Sequence, residues 1–272
     1  MTQNAIEATN KPNPQAWYRP TFSPEHGVYV VLLVSFLSGA ALARDWTMAT
    51  TLALVCAFFG FQAEHPLVLQ LKQRRSLKPR FLVWGGVYGA VSLGIGLWLY
   101  LSVPVLLWIY GGAIAALVVD ALFVYQRQQK SILNEFITFA AVCLSAPLAY
   151  AATTGTLSTV AMGLWALNTL YFSSTIFTVK LRKPKTNSPV LGVVYCAIAT
   201  LIVAALYFLD WLPLIAALAF GLAPLKFSLA ALNLQWYRTA KIQWVALLET
   251  GTAFCFLIVV VLSLLPARLP AL

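Results

Sequence analysis

Nine apolar runs, each close to the length of a membrane-crossing helix, follow one another between positions 27 and 265, with only short charged connections between them. About 20 apolar residues in helical form cross the hydrocarbon core of a bilayer. In that solvent every backbone N–H and C=O must be satisfied within its own segment, so each run is confined to a helix. The runs lie at 27–43, 47–62, 81–101, 103–125, 132–152, 157–179, 189–209, 212–232 and 242–265. The expected fold is therefore an all-α bundle of about nine transmembrane helices. Residues 1–26 form a polar, proline-spotted arm ahead of it, and residues 266–272 a short tail. Charged residues make up 10% of the chain, against about 25% in water-soluble domains. No apolar run remains for a soluble core.

The basic residues set the expected orientation. Lys11 and Arg19 precede the first run, and Lys72, Arg74, Arg75, Lys78 and Arg80 follow the second. Arg127 and Lys130, then Lys180, Arg182, Lys183 and Lys185, then Arg238 and Lys241 fall at the same end. Only Arg44 and Arg268 fall at the other, with Lys226 inside the eighth run. The positive-inside rule then places the N-terminus in the cytoplasm and the C-terminus outside. The same retention accounts for the net charge of +10 without nucleic acid, and membrane lipids are the expected partner. The arm is expected to be loosely ordered on the cytoplasmic side, lying on the membrane through Trp17 and Tyr18. A cleaved signal peptide would begin with a charge running directly into a short apolar run, and here a long polar stretch comes first.

Small residues and prolines carry packing expectations. Gly85, Gly86, Gly89, Gly94 and Gly96 in the third run allow close helix approach. Pro66 is expected to break the end of the second helix, leaving a short continuation beyond it. Pro147 and Pro224 are expected to kink the fifth and eighth. Cys56, Cys143, Cys196 and Cys255 all lie in apolar segments without metal spacing, and read as small core residues.

Chemistry is sought among ionisable residues below the head groups, where each costs a few kcal/mol. Glu64 and His65 sit at the inner end of the second helix. By the helical rise, Asp120 lies about 8 Å above the inner end of the fourth, Lys226 about 9 Å deep in the eighth and Glu249 about 10 Å deep in the ninth. Glu135 begins the fifth helix, and Asn168 is near the middle of the sixth. The charged members all fall in the half facing the basic loops, which points to a polar cavity opening there. Lys226 and Glu249 are expected to form an ion pair. The alternative is that these charges pair or snorkel and only hold helices together.

Both histidines follow a glutamate, in Glu25-His26 and Glu64-His65. If the two pairs met, they would offer a zinc or iron ligand set. No spacing puts two such ligands on one helical face, so no metal is assigned. A general-base role for a histidine beside a glutamate is the catalytic alternative, and capping of the first helix by His26 the structural one. No nucleotide-binding loop, nucleophile elbow or redox CxxC occurs, and the sequence names no cofactor.

The opening Pro24-Glu25-His26-Gly27-Val28-Tyr29 resembles the His-Gly-Ala-Trp start of the YwiC-like family of bacterial membrane proteins. Ala63-Glu64-His65-Pro66-Leu67, followed by basic residues, resembles that family's second recognisable stretch. The resemblance is clearest over the first third of the chain, and it implies a multi-pass protein of a bacterial inner-type membrane with no settled activity. The nine-helix plan also resembles the UbiA prenyltransferase architecture, whose aspartate-rich motifs after helices 2 and 6 hold magnesium and a prenyl diphosphate. Here the first place holds Gln62, Glu64 and His65, the second Ser173, Ser174, Thr175 and Lys180, with no aspartate.

The reading that follows is a cytoplasm-facing polar cavity for an isoprenoid-like or other lipid-soluble substrate. Glu64, His65 and Glu249 would be the catalytic candidates. Glu25, His26, Asp120, Glu135, Asn168 and Lys226 would contact substrate, with Lys226 holding its negative charge. The alternatives are a small-solute transporter and a non-catalytic assembly factor.

Overall fold

The computed structural model describes residues 18–24, 26–73, 76–182 and 188–265, and they are helical almost throughout. In chain order the helices are α1 (His26–Ala43), α2 (Met48–Lys72), α3 (Pro79–Ser102), α4 (Leu106–Tyr125), α5 (Ile132–Cys143) and α6 (Ser145–Thr154). They continue as α7 (Thr159–Lys180), α8 (Val190–Phe208), α9 (Leu214–Ala219), α10 (Leu222–Leu232), α11 (Leu234–Thr239) and α12 (Ile242–Leu264). Taken with α5–α6 and α9–α10 as single crossings, nine helical stretches among the described residues are long and apolar enough to span a membrane. The short α11 had no counterpart in the apolar pattern, since its Leu234–Thr239 sequence is mostly polar.

The two interrupted crossings fall where proline requires them. Pro147 has no N–H for the carbonyl of Cys143, and α5 ends at that residue. Likewise Pro224 has none for Phe220, whose carbonyl is taken instead by the Ala223 N–H at 2.8 Å. Pro66 behaves differently from expectation, because α2 runs through it to Lys72 without a break. Interior proline costs a helix roughly 3 kcal/mol, and packing offsets the loss here. The Pro66 ring is buried against Gly85 of α3, where a Cβ would lie 3.1 Å from Leu67 and 3.6 Å from the ring.

The most buried crossing is α7, surrounded by α1, α5, α6, α8 and α10. Polar groups stitch it to its neighbours. Asn168 donates to Ser38 Oγ at 3.0 Å and to its own-helix Leu164 carbonyl at 2.8 Å. Beside α7, Ser35 of α1 donates to Cys143 Sγ of α5, and Ser145 of α6 to the Leu32 carbonyl of α1. At this crossing α1 and α6 touch backbone to backbone, with Gly39 against the carbonyl of Ala146. The outer faces of α3, α4 and α8 instead present leucine and valine side chains outward. Cys56, Cys143 and Cys196 are buried as expected, whereas Cys255 is exposed on α12. Cysteine is apolar enough for a lipid-facing position, so hydrophobicity could not separate the two settings.

Residues 18–24 are tied down, in contrast to the loose arm expected. Arg80 on α3 donates to the carbonyls of Arg19 and Pro20 at 2.9 and 3.0 Å. The buried Gln62 accepts from the Ser23 N–H and donates to Tyr29 Oη at 2.6 Å, and Tyr29 donates back to the Ser23 carbonyl. Backbone groups without a helix to satisfy them have found side chains that do. Tyr18 is exposed, and Trp17 lies outside the described residues.

Candidate functional site

At the end of the bundle where α2, α4 and α7 finish and α1 and α5 begin, the helix ends leave a cleft of about 490 Å³. Glu64 and His65 reach it from α2, Asp120 from α4, Glu135 from α5, and Thr175 and Lys180 from α7. Four residues singled out in the sequence (Glu64, His65, Asp120 and Glu135) thus share one cavity. Ser23 of the tied-down arm lines it too, with Lys72 and Lys130.

Most buried polar groups in the cleft have a partner, as a low-dielectric setting favours, while Gln129 Oε1 and Asn134 Oδ1 have none among the described residues. Asp120, 8% exposed, accepts from Asn134 Nδ2 at 2.7 Å. That amide is positioned by the start of α5, where Ser131 caps the helix through the Asn134 N–H, and it also reaches the Gln129 carbonyl. Glu135 pairs with Lys180 across α5 and α7 at 2.7 Å. Both are partly exposed, so this is a mouth-level pair worth up to about 1 kcal/mol.

Behind Thr175 lies the expected ion pair. Lys226 Nζ is 2.6 Å from Glu249 Oε2, with the lysine side chain 1% and the glutamate 17% exposed. Thr175 donates to the same carboxylate oxygen at 2.9 Å and accepts from Lys226 at 3.2 Å. The ammonium also stands 5.4 Å from the centre of the Tyr171 ring, a cation–π contact, and that ring is stacked on Phe256. Lys226 and Glu249 are not among the cleft-lining residues; Thr175 separates them from it. Lys226 therefore does not line the cleft, and the lysines that do are Lys72, Lys130 and Lys180. Below the pair, α11 is braced to α7 by Arg182 on the Ala240 carbonyl and Arg238 on the Leu181 carbonyl. Burial, and then the nearby Glu249 carboxylate, push the Tyr237 hydroxyl of α11 above its ordinary pKa.

The remaining candidates lie elsewhere. Asn168 is fully buried in the α1–α7 crossing, where its amide links helices and does not face the cleft. His26 is exposed at the start of α1 and is not part of the cleft lining, and Glu25 lies outside the described residues. Among those residues no three His, Cys, Asp or Glu gather as a metal site would require. Sequence reasoning missed Asn134, which carries no charge to mark it, and noted Lys180 only as a basic residue and at the place of the second UbiA-like motif, without assigning it to the site.

Nine apolar helical stretches among the described residues, α7 the most buried of them, with a polar cleft at one end, define a polytopic membrane protein. Residues 22–150 match the family model described as YwiC-like protein, so over that stretch the chain is similar to the YwiC-like family. The match takes in α1 to α4, α5 and most of α6, and so includes Glu64, His65, Asp120, Asn134 and Glu135. It stops before Thr175, Lys180, Lys226 and Glu249. No curated protein and no solved structure matches the chain.

Proposed function

We propose that the cleft receives the polar head group of an isoprenoid-like or other lipid-soluble molecule, whose tail runs out between helices into the bilayer. Glu64 and His65 orient or deprotonate that head group, with Asp120 and the Glu135–Lys180 pair at its sides. The Lys226–Glu249 pair fixes the Thr175 face of the cleft from behind. One observation carries this reading: ionisable residues from four separate helices, each costly in a membrane, converge on one cavity. A transferase on the UbiA plan is its narrowest form, with Glu64 and His65 standing where that architecture has aspartates.

Native mass spectrometry of the purified protein beside a Glu64→Gln/His65→Ala double variant tests it. A discrete isoprenoid, quinone or phosphorylated lipid is expected on the wild type and not on the folded variant. Bulk lipid alone on both would remove the reading's support. A transporter reading draws on the breaks at Leu144 and at Phe220–Gly221, since transporters build their sites at discontinuous helices. Substrate-dependent flux in liposomes would favour it over turnover, and the absence of both would favour an assembly role.

The cleft is proposed to open to the cytoplasm, because the basic loops surround it. With the native cysteines replaced, an impermeant maleimide on intact cells is expected to label Thr156→Cys, in the loop between α6 and α7. It should spare Gln128→Cys, in the loop between α4 and α5. The reverse pattern would invert the orientation.

A further inference from the structure

A second cavity lies at the opposite end of the bundle. It is an open groove of about 730 Å³ between the last turns of α1 and α12, lined by Ala40 and Ala41 on one side and Leu257 and Val261 on the other. The two alanines create it, since larger side chains at those positions would fill the gap. From Leu257 to Leu265 the helix rises about 12 Å, so the groove runs from the helix ends well into the hydrocarbon layer. Apolar walls left without partner atoms forfeit their dispersion contacts, and in a bilayer the material at hand to restore them is an acyl chain.

The mouth of the groove carries two adjacent charges of opposite sign, Arg44 and Asp45. Arg44 reaches across to α12, its Nε donating to the Leu264 carbonyl at 3.2 Å, which leaves both Nη groups for a ligand. Its backbone φ of +58° is the left-handed turn that ends α1, as at Arg127 and Asp210 after α4 and α8. Asp45 spends one carboxylate oxygen on the Trp46 N–H at 2.7 Å. Among the described residues no ion pair joins Arg44 to Asp45. The Trp46 indole, anchored on Thr51 at 2.9 Å, stands beside them as aromatic rings do at the membrane interface.

We propose that this groove binds a phospholipid with a zwitterionic, amine-bearing head group. One acyl chain lies between α1 and α12, the phosphate sits on the Arg44 guanidinium, and the ammonium meets the Asp45 carboxylate. Guanidinium groups hold phosphate through two parallel N–H donors. An anionic lipid with a glycerol head would satisfy Arg44 equally well but would set no cation against Asp45. The site is independent of the cleft and of any function assigned to it.

The test uses the full chain and two lipids with identical acyl chains, dioleoyl phosphatidylethanolamine and dioleoyl phosphatidylglycerol, titrated together and read by native mass spectrometry. The wild type is expected to retain the ethanolamine lipid about two- to fivefold better, the range one exposed ion pair supplies. Asp45→Asn should equalise the two, Arg44→Gln should lower both, and Ala41→Phe should lower both by filling the groove. Each variant is compared with the wild type for its unfolding midpoint, and the exposed, isosteric Asp45→Asn guards against a misfolded Arg44 or Ala41 variant. Equal retention of the two lipids by the wild type, or retention unaltered by Arg44→Gln, would overturn the proposal.

Discussion

Lys226→Met is expected to destabilise the protein by about 3–5 kcal/mol, the range measured when one partner of a buried ion pair is removed. Glu249 would keep its charge with only Thr175 as a nearby donor. Glu249→Gln should cost at least as much, because the lysine side chain left behind is 1% exposed. The double variant Lys226→Met/Glu249→Leu removes both charges, and it should regain most of the loss. Replacing a buried pair by apolar groups is often neutral or stabilising. Denaturant unfolding in mixed micelles, followed by fluorescence of the nine tryptophans, measures all three. A double variant no more stable than either single one would mean that the pair is not the coupled unit described here. If the double variant is stable yet retains none of the lipid-soluble ligand proposed for the cleft, the pair is kept for positioning Thr175, not for stability.

Gly39→Ala should be the most damaging single-methyl change in the membrane core. A Cβ at Gly39 would fall on the carbonyl oxygen and carbon of Ala146, which are backbone atoms and cannot change rotamer. Helices α1 and α6 would have to separate, at a cost at or above the 1–3 kcal/mol usual for overpacking. The separation would also stretch the nearby bonds from Ser145 to the Leu32 carbonyl and from Ser35 to Cys143. Because the obstacle is backbone, Ala146→Gly should not rescue the variant. Gly86→Ala on α3 is the control: nothing lies within 4 Å of a Cβ there, and it should be close to neutral. The same unfolding measurement decides. Equal effects for Gly39 and Gly86, or rescue by Ala146→Gly, would show that the α1–α6 contact is looser than described.

The difference between these two glycines shows where sequence reasoning stopped. Glycines in a membrane helix announce close approach, and in the third run Gly85 and Gly96 do meet α2, yet Gly86, Gly89 and Gly94 have no near neighbour. The tight crossings are at Gly39, Gly163 and Gly192, in runs whose glycine content was unremarked. Composition says that a helix is able to approach; only the facing helix says where it does. Pro66 teaches the same lesson from the opposite side. Proline at 147 and 224 interrupts its helix, and at 66 the same residue is absorbed by packing against α3.

The candidate site was legible in part for a related reason. Charges below the head groups stand out against an apolar background, so Glu64, His65, Asp120 and Glu135 could be named from the sequence alone, and Lys226 could be paired with Glu249. The partners Asn134, of Asp120, and Thr175, of the Lys226–Glu249 pair, are neutral polar residues, which membrane helices carry for many purposes. Asn168 looked equivalent to them and serves helix packing instead.

The amino-acid sequence by itself determined the class of protein, the nine stretches long and apolar enough to cross a membrane among the described residues, and the end at which charge collects. Those properties follow from the cost of exposing backbone and charge to hydrocarbon, and that cost acts on each segment separately. What the tertiary structure alone decided is which helices adjoin. That choice gathers five helix ends into one cleft, buries Lys226 behind Thr175 and opens the apolar groove beside Arg44. Lipid is as apolar as leucine, so hydrophobicity does not choose a helix's neighbours. Shape and hydrogen bonds between particular side chains make that choice, and they exist only once the helices are in contact.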